Sequence, residues 1–185
     1  MRFGLALPQY DFSLPGPAGI DWSFVRDWAH HAEALGFDSV WISDHLFLDV
    51  ARYGGPDQPR GAMECLGTLA ALGAATSRLR LGTLVVCNDL RPPAIVAKTA
   101  ANIDVISGGR LELGIGAGWY ERDFKAAGVP PRCSPGRPAP VPPCRLLPPD
   151  LASRAKSGTL TAPGAVYLPI LRADRLSRRR GPWVR

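Results

Sequence analysis

Apolar and polar positions follow two different rhythms over the first 130 residues. Four short runs are almost continuously apolar, as strands buried on both faces of a sheet are, and they span 2–8, 39–43, 80–87 and 111–115. Between them, apolar residues at helical spacing predict helices over 22–35 and 63–76, and a third from Pro92-Pro93 to Gly108-Gly109. A short further helix is predicted over 121–127. The order β-α-β-α-β-α-β predicts parallel strands with right-handed crossovers.

Helical spacing also predicts which side chains face the sheet. In the first helix the inward positions are Val25, Trp28, Ala29, Ala32 and Leu35. In the third helix they are Ile95, Thr99, Ile103 and Ile106. The elements predict an α/β fold, and both a doubly wound sheet and a (β/α)8 barrel fit them. Four strands would make half of such a barrel.

The rhythm ends after Val129, where composition and charge also change. Residues 1–130 contain 11 lysines and arginines and 14 acidic residues, whereas residues 131–185 contain 11 and 2, so the net charge of +6 originates in the second segment. That segment holds 11 of the 19 prolines, and its one strand-like run, at 165–171, is interrupted by Pro169. We therefore divide the chain into a folded unit over 1–130 and a Pro/Arg-rich tail over 131–185 that is predicted to be mostly disordered.

Composition excludes several classes of protein. No run of about 18 apolar residues is present, and the apolar stretch before Pro8 is too short for a signal peptide. No membrane contact is therefore predicted, and the expected location is the cytoplasm. The four cysteines show no C-x-x-C spacing, so no metal site is predicted. The basic run 175–180 has no nucleic-acid-binding module around it, which makes nucleic acid a disfavoured partner.

Candidate chemistry collects at the carboxyl ends of the predicted strands, where ligands bind in parallel α/β folds. Asp44-His45 follows the second strand; the histidine could move a proton near neutral pH, or it could be a loop residue that Asp44 orients. Gly82 in the third strand marks either close approach to a ligand or close packing. The run GIGAG over 114–118 is not the G-x-G-x-x-G dinucleotide motif. It would still let a flat ring lie against the backbone beside Trp119, unless Trp119 packs on the next helix.

Four segments in this order resemble one family of enzymes: MRFGLALPQ, LGFDSVWISDH, RLRLGTLVV, and the stretch from Arg91 to Trp119 with its trailing YERDF. Over residues 1 to about 130 the chain resembles the luciferase-like flavin monooxygenases, and especially the branch that uses the deazaflavin coenzyme F420. The resemblance implies a (β/α)8 barrel that holds F420, or alternatively FMN, at the carboxyl ends of its strands. It also implies hydride transfer or monooxygenation of a small-molecule substrate.

The resemblance further implies roles for individual residues. His45 matches the catalytic position that assists hydride or proton movement beside the ring. A non-proline cis peptide that backs the ring would fall at Leu84-Val85. Relatives that act on sugar phosphates have a glutamate where this chain has Trp119, which disfavours that activity here. The implied cofactor-binding residues are Asp44, Thr83, Leu84, Val85, Gly116, Ala117, Gly118 and Trp119.

The family pattern stops before four further βα units that its members contain. The expected fold is therefore a truncated (β/α)8 barrel of about four βα units followed by the tail. A truncated or frameshifted gene is the hypothesis, because Pro, Arg, Ala and Gly are what GC-rich codons give out of frame. The alternative function is a catalytically inactive fragment that acts as an interaction module. Unpaired edges on its first and fourth strands would favour self-association.

Overall fold

The computed structural model describes residues 1–14, 19–51 and 54–130, together with the backbone of 171–172. The helices are α1 (Trp22–Ala34), α2 (Cys65–Ala75), α3 (Pro93–Ile106) and α4 (Glu121–Ala127). The strands are β1 (Gly4–Ala6), β2 (Ser39–Ile42), β3 (Phe47–Leu48), β4 (Arg60–Gly61), β5 (Arg80–Thr83), β6 (Val86–Cys87), β7 (Leu111–Leu113), β8 (Ile115–Gly116) and β9 (Leu171–Arg172). In this part of the chain no helix has the length and hydropathy of a membrane span. The predicted disorder of 131–185 lies outside the described residues, apart from β9.

A parallel sheet forms the centre of the fold. Its order is β1-β2-β5-β7-β9, in which the first four strands run parallel and β9 joins β7 antiparallel. The predicted strand over 80–87 is divided into β5 and β6 at Leu84-Val85, and the one over 111–115 into β7 and β8 at Gly114. Beyond these breaks β6 and β8 pair in parallel. The α/β prediction is confirmed, and both breaks lie at the carboxyl end of the sheet.

The two outer predicted strands differ at their free edges. Among the described strands β1 pairs with β2 alone, whereas the outer edge of β7 is paired with Leu171–Arg172. The prediction of an unpaired edge on the fourth strand is therefore wrong. Two residues of the tail supply the backbone groups that this edge would otherwise lack.

Helices α1, α2 and α3 cover one face of the sheet, and the core lies between the two layers. Its fully buried side chains come from strands and helices alike, and include Val25, Val40, Leu69, Leu72, Leu81, Ile103 and Leu111. Burial of each large apolar side chain is worth about 1.5–3 kcal/mol relative to leaving it exposed. This one-sided core leaves the carboxyl ends of the strands accessible at the end of the sheet.

The inward face of α1 is narrower than predicted. Its buried positions are Val25, Ala29 and Ala32. Trp28 and Leu35 are exposed, so their predicted inward orientation is wrong. Trp28 packs edge to face on Phe24 at the surface instead, with ring centroids 6.3 Å apart. The fully buried stripe of α1 is therefore short and made of small side chains, and Trp22 at the start of the helix packs against the core while partly buried.

The inward face of α3 is rotated relative to the predicted one. Ile103 is buried as predicted, but Ile95 and Ile106 are exposed. The buried positions are Val96, Ala100, Ile103 and Asp104. Asp104 explains the rotation, since it faces inward and accepts a hydrogen bond from the Leu111 N–H (3.4 Å) at the start of β7. A prediction from the spacing of apolar residues places such an aspartate on the solvent side of the helix, because buried aspartates are rare unless paired.

The other face of the sheet is covered in part by the indole of Trp41. A Cβ added to Gly4 or to Gly82, on the strands at either side, would overlap that indole. Gly82 is also the register partner of Trp41, so the ring lies directly across the neighbouring strand. Close packing is therefore the reason for glycine at position 82, and the alternative of close approach to a ligand is not needed there.

Candidate active site

The carboxyl end of β1 is tied to that of β2 by a side-chain amide. Gln9 is buried; its Nε2 donates to the Ser43 carbonyl (2.7 Å) and its Oε1 accepts from the Ser43 N–H (2.5 Å). These are backbone groups of the kind that a neighbouring strand would pair, so the amide continues the ladder past the end of β1. The clamp fixes the segment that carries Asp44 and His45. Sequence analysis missed Gln9, although it ends the MRFGLALPQ motif.

His45 follows β2 and is bound by a residue of α4. Its Nδ1 lies 2.7 Å from Asp123 Oδ2, and Asp123 Oδ1 accepts from the Leu46 N–H (3.0 Å). An ionised carboxylate only accepts hydrogen bonds, so this contact places a ring proton on Nδ1, and Nε2 is an acceptor whenever it carries no proton of its own. The alternative in which Asp44 orients the histidine is wrong, because the partner is Asp123, 78 residues further along. The sequence signal was the second of the two acidic residues in the YERDF segment.

Asp44 lies behind the site and is occupied by internal contacts. Both of its oxygens bind the Arg91 guanidinium (2.6 and 2.8 Å), and Oδ2 also accepts from the Cys87 N–H (2.8 Å). Arg91 in turn reaches Glu64 Oε1 at 2.7 Å. Burial alone would lower the pKa of Arg91, but the two carboxylates raise it above its ordinary value. The Asp44 side chain therefore joins β2 to β6, and its contact with a cofactor stays a prediction.

Thr83 ends β5 and joins it to the break in the next strand. Its hydroxyl donates to the Gly114 carbonyl (2.7 Å) and accepts from the Gly114 N–H (2.8 Å). A Cβ on Gly114 would lie 2.6 Å from the Thr83 carbonyl oxygen, so only glycine fits between the strands. The peptide between Leu84 and Val85 is cis, as the resemblance implied. Leu84 is 45% exposed and projects from this bulge, whereas Thr83 is fully buried.

The exit of β8 carries the glycines and Trp119. Gly118 has φ +76°, and a Cβ there would overlap Cys87 Sγ. Trp119 is 44% exposed and meets His45 edge to face, with ring centroids 5.7 Å apart. The structure therefore brings Trp119 and His45 together, as well as the Gly116–Gly118 backbone and Cys87, which pairs with Gly116 in the β6–β8 ladder. Burial first, and then the Asp44 charge, raises the pKa of the Cys87 thiol to about 11.

Two tyrosines that sequence analysis missed complete the surroundings of His45. Tyr120 and Tyr10 have ring centroids 5.9 and 6.4 Å from that of the histidine. A cavity of about 600 Å³ lies nearby but contains none of the predicted site residues; its lining is Phe47, Pro59, Gly61, Arg122, Lys125 and Ala126. In the described part of the chain, no group of three or more His, Cys, Asp or Glu residues is arranged to hold a metal ion.

Known proteins resemble this chain over most of the described residues. A family model described as luciferase-like monooxygenase matches residues 1–139. An uncharacterized protein of Mycobacterium tuberculosis is 37% identical over 142 residues, which cover 70% of this chain and 45% of that protein. The F420-dependent glucose-6-phosphate dehydrogenase of Nakamurella multipartita is 40% identical over 119 residues, 64% of this chain and 31% of that enzyme. The structure of riboflavin lyase (RcaE) with modified FMN and riboflavin has a TM-score of 0.56 at 26% identity, covering 70% of this chain and 32% of that chain.

The lengths of these matches matter for what they show. The chain spans less than half the length of the curated relatives it matches, 45% in the mycobacterial case. The solved structures it resembles are luciferase-like (β/α)8 barrels, and the match covers about a third of each barrel. This decides between the two α/β architectures that the order of elements left open, in favour of the barrel.

Proposed function

This chain belongs to the luciferase-like monooxygenase family, and we propose that it forms the cofactor-facing part of an oxidoreductase that uses coenzyme F420, with FMN as the alternative. Relatives of both kinds support the proposal, since the Nakamurella dehydrogenase is F420-dependent and the riboflavin lyase structure holds modified FMN. When bound, a deazaflavin accepts or donates a hydride, and a flavin can also react with oxygen. The reaction would be hydride transfer or monooxygenation of a small molecule.

The residues proposed to hold the ring lie on two strand exits that suit a flat group. The bulge at Leu84-Val85 presents one exposed apolar side chain, and the segment from Gly116 to Gly118 presents backbone with little or no side chain. Trp119 adds an exposed aromatic ring beside them. Thr83 and Asp44 have their side-chain oxygens bonded within the protein, so we assign them to positioning these exits.

The observation that carries the proposal is the pair of His45 and Asp123 at 2.7 Å beside the exposed ring of Trp119. Asp123 holds the proton on Nδ1, which leaves Nε2 to take or return a proton at a substrate oxygen or the reacting centre. We assign the catalytic role to His45 and a positioning role to Asp123. General acid–base help of this kind is worth about 10²–10⁴ in rate.

Titration of the purified chain with F420 and, separately, with FMN tests the proposal. We expect saturable quenching of cofactor fluorescence, with one cofactor bound about tenfold more tightly than the other, a difference of about 1.4 kcal/mol. Leu84→Asp should abolish the quenching because it puts a carboxylate on the bulge. Leu35→Asp, at an exposed leucine after α1, is the matched control and should leave binding unchanged.

Two outcomes would count against this assignment. If neither cofactor quenches at about 100 μM, where a Kd of about 10 μM would already saturate the site, the inactive interaction fragment becomes the better hypothesis. If Leu84→Asp and Leu35→Asp weaken binding equally, the ring does not lie on the bulge. Circular dichroism of both variants checks that each keeps the wild-type secondary structure.

A further inference from the structure

The surroundings of His45 are aromatic on three sides. The rings of Trp119, Tyr120 and Tyr10 have centroids 5.7, 5.9 and 6.4 Å from the imidazole. Tyr10 is itself held by Phe12, whose ring stacks on it at 4.8 Å and 9°. Trp119 and Tyr120 contact each other at 5.4 Å, and we call Trp119, Tyr120 and Tyr10 around the imidazole the aromatic wall. Of these, Trp119 is the large exposed one and is therefore the surface that a bound molecule meets.

The polar end of this wall is turned away from a ligand. The Tyr120 hydroxyl donates to Asp49 Oδ2 at 2.5 Å, and the rest of that side chain is buried. Because its hydroxyl is engaged behind the wall, Tyr120 presents only its ring on the His45 side. Aromatic faces of this kind favour apolar and planar groups beyond the area they bury.

The charges around the wall disfavour an anion. The carboxylates of Asp123 and Asp49 lie directly behind His45 and Tyr120. Arg91 is bound to two carboxylates, those of Asp44 and Glu64, and Arg122 likewise to those of Asp49 and Asp57. A phosphate here would meet carboxylates, and would have to compete with them for either guanidinium.

We propose that this site takes an uncharged molecule with an aromatic or alicyclic body and one hydroxyl group, and rejects phosphorylated substrates. The body packs on Trp119 and the hydroxyl donates a hydrogen bond to His45 Nε2. The inference rests on the proposed function, since it names the substrate class of the same site. It separates this chain from the sugar-phosphate enzyme of Nakamurella that it resembles in sequence.

Two probes that share the benzyl body and differ by a phosphate group test the inference: benzyl alcohol and benzyl phosphate. Binding to the full chain is measured by NMR titration, with and without added F420. We expect benzyl alcohol to bind about tenfold more tightly than benzyl phosphate or glucose 6-phosphate. Trp119→Ala should weaken the binding of benzyl alcohol about threefold or more. Trp28→Ala removes a tryptophan of equal exposure (45% against 44%) on α1 and should change nothing.

Each other outcome overturns the inference. It fails if benzyl phosphate binds as tightly as benzyl alcohol, if benzyl alcohol shows no saturable binding, or if Trp28→Ala and Trp119→Ala have equal effects. Trp119→Leu is made as well, so that an unfolded alanine variant does not decide the result. The cofactor titration on the same samples separates the two proposals. If the chain prefers benzyl alcohol but binds no cofactor, only the proposed function is contradicted. If it binds a cofactor but does not prefer benzyl alcohol, only the proposed substrate class is contradicted.

Discussion

Polar side chains at the two ends of the sheet differ in the partners that they bind. At the amino ends of the strands, Arg110 and Glu33 direct most of their hydrogen bonds to backbone groups of the protein. At the carboxyl ends, charged side chains also bind one another, as His45 binds Asp123 and Arg91 binds Asp44, and the Trp119 ring beside His45 is exposed. The first arrangement closes the turns between helices and strands, and the second prepares a surface for a ligand. The difference teaches that the stability and the chemistry of this fold are carried by separate ends.

Arg110 shows how complete the closure at the amino end is. Its three guanidinium nitrogens make five hydrogen bonds of 2.6–2.9 Å, to Gly73 O, Thr76 O, Thr76 Oγ1, Leu79 O and Ser107 O. One side chain thereby caps α2, fixes the turn into β5 and ends α3. Burial lowers the pKa of Arg110, which stays protonated far above neutral pH.

Glu33 performs the complementary task for backbone N–H groups. Its Oε1 accepts from Ser77, Arg78 and Leu79 at 3.1, 2.5 and 3.0 Å. Burial would raise the pKa of this carboxyl, but the three N–H groups together lower it below its usual value. The stabilisation is therefore present above the unfolded-state pKa and is lost as pH falls through the lower folded-state pKa.

The largest expected effect is that of Arg110→Ala on stability. The change leaves backbone carbonyls at the ends of two helices without donors, which should cost about 3 kcal/mol or more in the free energy of unfolding. Urea denaturation followed by circular dichroism measures it. Arg26→Ala, at an exposed arginine paired with its neighbour Asp27, should cost less than about 0.5 kcal/mol. Equal effects of the two variants would mean that the amino end is not the stabilising end.

Asp123→Asn should change the stability little and the turnover strongly. The amide keeps the shape but offers one acceptor where the carboxylate offered two, to His45 Nδ1 and the Leu46 N–H. We expect a stability change within about 1 kcal/mol. The ¹⁵N shifts of His45 should show a tautomer redistributed toward Nε2–H, and turnover with bound cofactor should fall about 10²-fold.

The tautomer separates a positioning role for Asp123 from a structural one. Asp57→Asn, at an exposed carboxylate bound to Arg122, is the control and should leave the His45 signals unchanged. If Asp123→Asn destabilises the protein as much as Arg110→Ala and leaves the tautomer unchanged, then Asp123 is structural. The contrast between the two ends of the sheet would fail with it.

Sequence patterns predicted the elements of this fold better than the partners of its polar groups. The four strands and their helices follow from apolar runs, because each of those is a local property. The inward turn of Asp104 and the pairing of His45 with Asp123 depend on contacts between residues that only the folded sheet brings together. The cis peptide at Leu84-Val85 came from the family resemblance, since nothing in local composition marks it. The antiparallel pair of β3 and β4 was not predicted, because a strand of two residues is too short to show an alternation of apolar and polar positions.

A further expected effect is chemical and concerns Cys87, whose pKa is raised to about 11 by burial and then by the Asp44 carboxylate. A raised pKa favours the neutral thiol, so at pH 8 only about one molecule in a thousand carries the thiolate. Alkylation of Cys87 by iodoacetamide, followed by peptide mass spectrometry, should therefore keep accelerating up to about pH 11. In urea the same thiol should level off near pH 8.5, which provides the control. If the rate of Cys87 alkylation levels off near pH 8.5 in the folded chain as well, water and cations reach the thiol at the end of β6. The close packing around Cys87 at the carboxyl end of the sheet would then be absent.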